Sequence, residues 1–476
     1  MADDTRYDTA QPDADTDADA TPHAHAASTR ISRGGLLRGA AALGAGLAGA
    51  SLLPSGALPG GAALAADPQA ASGTIEVWYP YSGTTGPLVL QVFNEFQKSH
   101  PNITLKPTFA SNDLSSNQKL FAAVSAGLPP DVTWVDGPEV AGWGVRGILQ
   151  PIDAYVKTAG LTASDFWAPA WQQLLYNGHI WALPFTADPN FGFYYNKQLF
   201  AASGIKEPPT TFDEMNRMAQ ELTVVKNGNI QQIGLLPWNV YGNANSMVTW
   251  GWMFGGSFFD QAKNKVTAND PRVVAALEWM VSYAKKYGIT KIASFTAPFG
   301  AGPNFQNGQV FAIGKMAMQP MGPWEVPAIT QFNPNLQYGI TKLPAYKNLP
   351  SSSWVGGWCV GIPIGAKNPA AAWEFVRWIC ASNEGTTKAG TATVDFPGYK
   401  ASSFFKGKLP GVLEQFYPIL QATQHHRPVT PAEDYYMGQL DTEVSNALYG
   451  KKTPTQALTD CTNNVQSYLD GLLKRR

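Results

Sequence analysis

The chain has 476 residues, of which 44% are hydrophobic and 14% are charged, and its formal net charge at pH 7 is −1. This length and composition are sufficient for a large buried core and suggest two or three lobes rather than one small domain. A charge so close to zero gives no electrostatic basis for binding nucleic acid or an anionic membrane, so we expect neither as a partner.

The first 65 residues differ in composition from the remainder. Seven Asp residues lie among Ala, Thr and Pro before residue 30, and this segment is too polar to pack, so we expect it to be disordered. Arg30, Arg33 and Arg38 then precede a mildly apolar Ala/Gly-rich run, and Ala63 to Ala65 offer small residues to a signal peptidase. We interpret residues 1–65 as an export signal and residues 66–73 as a linker.

The export signal contains SRGGLLR (residues 32–38), which resembles the twin-arginine motif with Gly34 in place of the second arginine. The weakly hydrophobic Gly/Ala run favours this route over general secretion, and it disfavours a membrane anchor because Gly and Ala insert poorly. Removing residues 1–65 takes away four of 34 basic and seven of 35 acidic residues, leaving 30 and 28. We expect an exported, extracellular or cell-surface monomer with no lipidation cysteine.

Strand and helix patterns alternate from residue 74 onward. TIEVWYPY (74–81) predicts a strand, LVLQVFNEFQKSH (88–100) a helix and ITLKPTF (103–109) a second strand. The unit recurs to residue 150, which indicates a sheet with crossover helices. The pattern remains α/β to about residue 383 and is mostly helical from there to Leu473.

Helix ends can be predicted at two places. Thr211 and Glu214 have the spacing of a capping box, and Asp270 with Pro271 begins a helix that Gly288 ends. Adjacent histidines at 425–426 suit a solvated turn better than metal ligation, and we predict no metal site and no cofactor. Three cysteines leave open whether two of them pair or all are buried thiols.

Tryptophan is the most unusual feature of the composition. The chain has fifteen, and many lie in turns and at element ends rather than at core spacing. Six such positions are Trp238, Trp250, Trp252, Trp324, Trp354 and Trp358. Together with export and two α/β lobes, these indoles indicate capture of a small molecule in a cleft.

Five stretches, in order, resemble one family, the extracellular solute-binding proteins of bacterial ABC importers, and in particular the carbohydrate-binding group similar to maltose-binding protein. They are TIEVWYPY (74–81), AVSAGLPPDVTWVDG (123–137), the segment 178–215 with its Leu-Pro crossing and Tyr-Tyr-Asn-Lys strand end, GKMAMQPMGPWE (314–325) and GGWCVGIPIGAKNPAAAWEFVRWI (356–379). The similarity extends over residues 74–473. Relatives in single-membrane bacteria usually carry a lipid on an N-terminal cysteine, which this sequence lacks.

The resemblance implies an α/β, two-lobe fold of the type II periplasmic-binding-protein kind, with a ligand cleft between the lobes and a helical C-terminal part. The first lobe would hold residues 73–185 plus 346–383, and the second 186–345 plus 384–476. The implied function is to bind a mono- or oligosaccharide outside the cell, close on it and deliver it to the membrane permease of an ABC importer. Such a protein makes and breaks no bond, so we do not expect an enzyme.

A sugar site needs aromatic platforms for C–H faces and paired polar groups for hydroxyls. Trp324, behind a Gly-Pro turn, is predicted to be a platform rather than a core residue, and the strand ends and the Gly-Gly-Trp segment supply other candidates. Asn112, Glu325, Asp395 and Arg427 have helix-capping or structural alternatives. The predicted ligand-binding residues are Tyr81, Ser82, Asn112, Asp136, Asp188, Trp238, Tyr241, Trp324, Glu325, Gly357, Trp358, Asp395 and Arg427.

Two alternatives remain open. A secreted glycosidase or lyase also presents aromatic residues to a polysaccharide, but it needs two carboxylates at a fixed separation, and Asp136, Asp188 and Glu325 lie in no recognisable catalytic segment. We therefore predict no catalytic residue. The same fold could also bind a polyamine, a peptide or glycerol phosphate. Few uncompensated acids and no basic cluster argue weakly against such charged ligands.

Overall fold

The computed structural model describes residues 71–111, 114–299, 309–351 and 353–474, in which strands and helices alternate. The strands are β1 (Gly73–Tyr79), β2 (Ile103–Phe109), β3 (Val132–Asp136), β4 (Leu175–Tyr176), β5 (His179–Ile180), β6 (Leu183–Pro184), β7 (Asp188–Pro189), β8 (Gly192–Asn196), β9 (Val224–Lys226), β10 (Asn229–Gln232), β11 (Phe259–Asp260), β12 (Lys265–Val266), β13 (Met318–Met321), β14 (Tyr338–Thr341), β15 (Trp354–Gly356), β16 (Trp358–Gly361) and β17 (His425–His426).

The α-helices are α1 (Thr85–Ser99), α2 (Leu114–Ser125), α3 (Val140–Val145), α4 (Asp153–Thr158), α5 (Ala168–Gln172), α6 (Lys197–Ala202), α7 (Phe212–Glu221), α8 (Asn243–Met253), α9 (Pro271–Tyr287), α10 (Ile289–Thr296), α11 (Gln309–Ala312), α12 (Val326–Phe332), α13 (Pro369–Ala381), α14 (Asn383–Thr393), α15 (Leu413–Ala422), α16 (Glu433–Leu448) and α17 (Pro454–Lys474). Helices α14 to α17 account for the helical C-terminal part that the sequence predicts. In the part of the chain described, no helix is both long and apolar enough to span a membrane.

The largest sheet has five strands in the order β2-β1-β3-β16-β6. Strand β1 is parallel to β2 and β3, and α1 and α2 make the crossovers that parallel neighbours require. Strand β16 runs antiparallel to β3 and pairs Trp358 with Asp136. The first residue of β16 therefore lies at the carboxyl edge of the parallel strands, which is where open α/β sheets bind ligands.

A second sheet, β13-β8-β14, is antiparallel, and a short third sheet, β17-β15-β7, joins distant parts of the chain. In the third sheet Gly356 pairs with Asp188, and Trp354 pairs with His425. The prediction that His425 and His426 form a solvated turn is wrong. They are half-buried in β17, and the ring of His425 stacks on Trp252 with centroids 5.3 Å apart.

The hydrophobic core is divided. One cluster draws on residues 71–185 and 359–389, and a second on 191–354 and 432–469. A third cluster packs α15 and the segment around Phe396 against β8 and β13. The first cluster overlaps the predicted first lobe without coinciding with it, because Trp354 packs in the second cluster and Ala389 in the first.

Local predictions about helix ends are confirmed. The Thr211 hydroxyl accepts from the Glu214 amide at 3.2 Å, and the Glu214 carboxylate accepts from the Thr211 amide at 3.1 Å, which completes a capping box on α7. Asp270 caps α9, and Gly288 follows its last residue with φ of +79°. Cys359, Cys380 and Cys461 are all buried free thiols.

Candidate ligand-binding site

A cavity of about 540 Å³ opens at the carboxyl edge of the five-stranded sheet, beside the short sheet β17-β15-β7. Nine of the thirteen predicted residues line it. The lining consists of Tyr81, Thr85, Asp136, Asp188, Asn190, Tyr241, Asn245, Trp324, Trp354, Gly356, Gly357, Trp358, Thr393, Asp395 and Arg427. Segments more than 300 residues apart in the chain therefore contribute to one site.

Trp324 is the most exposed indole of the cavity, with 37% of its surface accessible. It follows β13 and a Gly-Pro turn, and its ring folds back over Gly322 so closely that a Cβ there would overlap it. Tyr241 contacts Trp324 edge to face at 6.0 Å, and the Tyr241 backbone has φ of +56°. An exposed flat ring held by a second aromatic residue is suited to stacking against a ligand.

Trp354 forms a more rigid part of the cavity wall. It is 2% exposed, and its indole nitrogen donates to Thr249 Oγ1 at 3.0 Å. The guanidinium carbon of Arg427 lies 5.7 Å from the ring centroid of Trp354, within the range of a cation–π contact. Trp354 therefore links the core of the second cluster to the only basic residue among the described lining residues.

Two glycines allow the chain segments to approach one another behind the cavity. A Cβ at Gly356 would overlap Asn190 Oδ1, and one at Gly357 would overlap Thr186 Oγ1. Gly357 also has φ of +122°, which side chains rarely adopt. The Gly-Gly pair thus makes room for the side chains of Asn190 and Thr186.

Arg427 is the centre of a buried charge network. It pairs with Asp136 across the cavity, and its Nη1 lies 3.4 Å from Glu433 Oε1. Burial lowers the pKa of Arg427, but Glu433, Asp136 and Glu139 outweigh it and raise the pKa above its usual value. Burial raises the pKa of Glu433 to about 7 despite Arg427, and burial with Asp136 raises that of Glu139.

The opposite corner of the cavity contains two carboxylates. Asp188 is 4% exposed, and its Oδ1 accepts from the Phe396 amide at 3.0 Å. Burial raises the pKa of Asp188 to about 7, although hydrogen bonds from Phe396 and Thr186 oppose the shift. Burial and the Asp188 charge raise the pKa of Asp395 well above its usual value. Each carboxylate therefore makes the other harder to ionise.

The other predicted residues lie elsewhere. Ser82 is exposed but is not part of the lining, and Trp238 packs, partly buried, between two core clusters. Glu325 is 5% exposed and lies outside the lining. Asn112 lies outside the described residues. That these four residues contact the ligand remains a prediction.

Six lining residues were not among those predicted: Thr85, Asn190, Asn245, Trp354, Gly356 and Thr393. Asn190 lies two residues after Asp188, and the two-residue period of an extended chain places both on one face. That signal could have found Asn190. Asn245 and Thr393 lie in helices α8 and α14, and their sequence surroundings do not distinguish them from other polar helix residues.

No group of three or more His, Cys, Asp or Glu side chains in the described part of the chain is arranged to hold a metal ion.

The fold and the cleft define the class of protein. The family profile "Bacterial extracellular solute-binding protein" matches residues 82–384, more than half of the chain, and the chain belongs to this family. The fold predicted from sequence is confirmed by the solved structure of CpMnBP1 with mannotriose bound. That structure superposes with a TM-score of 0.70 at 27% identity, covering 82% of this chain and 99% of that one.

Two curated relatives are similar over a large part of the sequence. The maltotriose-binding protein of Pyrococcus abyssi is 26% identical over 328 residues, which are 66% of this chain and 64% of that protein. The mannitol-binding protein of Pseudomonas aeruginosa is 26% identical over 326 residues, 66% of this chain and 71% of that protein. The match thus spans a little under two thirds of the first relative's length and somewhat more of the second.

Proposed function

We propose that this protein binds a mono- or oligosaccharide outside the cell and delivers it to the membrane permease of an ABC importer. The observation that carries the proposal is a cavity whose lining combines an exposed Trp324 and a second ring, Tyr241, with carboxylates and amides. Relatives named for maltotriose and mannitol, and a similar structure with mannotriose bound, support a carbohydrate ligand.

The number of aromatic and polar groups agrees with what sugar binding requires. Covering one sugar face of about 50 Å² contributes roughly 1 kcal/mol at about 25 cal/mol per Å². A micromolar dissociation constant requires about 8 kcal/mol, so one platform is insufficient. Hydrogen bonds contribute about 1 kcal/mol each between neutral groups and roughly 1.5 to 3 kcal/mol each to charged groups, so several polar groups of the lining must act together with the aromatic residues.

We propose that the lobes meet at the short sheet β17-β15-β7 and close there on the ligand. This proposal keeps the first lobe near residues 73–185 plus 346–383 and assigns the rest of the folded chain to the second lobe. It includes export by a signal within residues 1–65 and action as a monomer. Closure needs a ligand that contacts both sides of the cleft. Asp136 would contact the ligand from the first proposed lobe and Trp324 from the second.

The test is isothermal titration calorimetry of the protein with a panel of neutral sugars, including maltotriose, mannotriose, mannitol and common hexoses. We expect at least one to bind at micromolar or lower concentration. Trp324→Ala should weaken that binding about fivefold, because the roughly 1 kcal/mol of stacking on its exposed face is lost. Tyr449→Ala removes an aromatic residue that is 49% exposed outside the lining, and its affinity should equal that of the unmodified protein.

Failure of every sugar to bind would contradict the proposal, as would an unchanged affinity for Trp324→Ala. The enzyme alternative predicts release of reducing ends from polysaccharides by the purified protein. We propose that the protein is not an enzyme, and reducing-end release that disappears in Asp136→Asn would overturn that part.

A further inference from the structure

The acidic corner of the cavity is formed by a backbone pairing between two distant segments. The Ala187 amide donates to the Phe396 carbonyl at 2.8 Å, and the Phe396 amide donates to Asp188 Oδ1 at 3.0 Å. Because Asp395 directly precedes Phe396, this pairing holds both carboxylates on one side of the cavity. We refer to Asp188, Asp395 and the neighbouring Tyr81 as the acidic corner.

The hydroxyl of Tyr81 provides an independent observation. Its oxygen is fully buried, and it has no hydrogen-bond partner among the described residues. Burial raises the pKa of Tyr81 well above its usual value, and the charges of Asp395 and Asp188 raise it further, so this hydroxyl lies within electrostatic reach of both carboxylates. A buried hydroxyl without a partner costs free energy, and a ligand group placed there would recover it.

The charge balance of the lining is negative. Asp136, Asp188 and Asp395 face one basic lining residue, Arg427, among those described. Arg427 is already engaged by Asp136 and Glu433. The acidic corner therefore has no protein cation of its own, and an anionic sugar such as a uronate or a sugar phosphate would find no positive group there.

We propose that the acidic corner binds a protonated amine on the sugar, so that the preferred ligand is an amino sugar or an oligosaccharide that contains one. This inference rests on the proposed sugar-binding function. An ammonium group has three donors, which match oxygens of Asp188, Asp395 and Tyr81. Its positive charge would favour the ionised form of both carboxyls, whose pKa values are otherwise raised, and no neutral hydroxyl can do this. The aromatic residues of the cavity tolerate a cation.

The experiment compares matched sugars at pH 6.5 by calorimetry. The probes are glucose, mannose and galactose, the corresponding 2-amino-2-deoxy sugars, their N-acetylated forms, and the β-1,4-linked dimers of the gluco series. In the configuration that binds, we expect the free amine to bind at least tenfold more tightly than both the hydroxyl and the N-acetyl form. The N-acetyl form controls for size, since it occupies the same position without charge.

Asp395→Asn tests the charge at the half-buried member of the corner, and Glu207→Gln is its control because Glu207 is exposed outside the lining. The ratio of amine to hydroxyl affinity should fall to near one in Asp395→Asn and stay at least tenfold in Glu207→Gln. Equal or weaker binding of the amines, with neutral sugars still bound, would overturn this inference and leave the proposed function intact. Binding of no sugar at all would overturn both.

Discussion

A buried carboxyl group without a basic partner makes the stability of the protein depend on pH. Glu325 is 5% exposed, and burial alone raises its pKa from 4.5 to about 7. The folded protein therefore holds this proton over a pH range in which the unfolded chain has released it. A raised pKa contributes stability that is present below pH 4.5 and is lost as the pH rises through 7.

Glu325→Gln should remove that loss. At pH 4 the variant and the unmodified protein should have nearly the same free energy of unfolding, and at pH 8 the variant should be more stable by up to about 3 kcal/mol, since each pKa unit corresponds to about 1.4 kcal/mol. Denaturant unfolding at both pH values measures the difference. The exposed Glu207→Gln should show no such gain, and an equal effect of the two substitutions at pH 8 would contradict the explanation.

The opposite case is a buried cation shared by several acids. Arg427→Met would leave Asp136, Glu139 and Glu433 without their positive charge, and removal of one partner from a buried ion pair costs about 3 to 5 kcal/mol. We expect a loss of this size in denaturant unfolding at pH 7. Adding Glu433→Gln to Arg427→Met should recover part of this loss by removing one uncompensated charge. A double variant whose loss of stability equals the sum of the two single losses would indicate that the groups do not interact.

Elements defined by neighbouring residues could be predicted from the sequence, and those defined by distant ones could not. The caps of α7 and α9 depend on residues within three positions of each other. Strand β17 exists because His425 pairs with Trp354, 71 residues away, and stacks on Trp252. Two adjacent histidines contain no local signal of that environment, so the sequence favoured a solvated turn.

The cap of α7 provides a test at the same scale. Thr211→Ala removes the hydroxyl that accepts from the Glu214 amide, and loss of an N-cap of this kind costs about 1 kcal/mol. Thr442→Ala is the matched control, because Thr442 is an exposed interior residue of α16 whose hydroxyl bonds only to the preceding turn. We expect Thr442→Ala to be neutral or slightly stabilising, and equal losses from both would argue against the cap.

At the scale of the whole molecule, the motifs that resemble one family in the same order predicted the family and the fold. Nine of the thirteen residues predicted in this way line one cavity. The motifs did not predict Asn245 or Thr393, because their place in the lining depends on how α8 and α14 pack and not on their sequence neighbours. The structure also gives Gly357 a role in packing, because its missing side chain accommodates Thr186. Tertiary packing decides such positions.

We propose above that the lobes meet at the short sheet β17-β15-β7. The three strands of this sheet are each two or three residues long, so relative motion there disturbs few of the sheet's hydrogen bonds. Binding of a sugar should reduce the radius of gyration measured by X-ray scattering without changing the molecular mass. A ligand at 100 times its dissociation constant should also add about 2.7 kcal/mol to the free energy of unfolding.

Trp324→Ala separates closure from stabilisation by binding alone. At a sugar concentration that saturates the unmodified protein, this variant should show a smaller compaction and a smaller thermal shift. If Trp324 contributes only affinity, a higher sugar concentration that saturates the variant should restore both. A saturated variant that stays expanded would instead mean that the indole holds the lobes together. A radius of gyration unchanged by a sugar that calorimetry shows to be bound would mean that the cleft receives its ligand without closing.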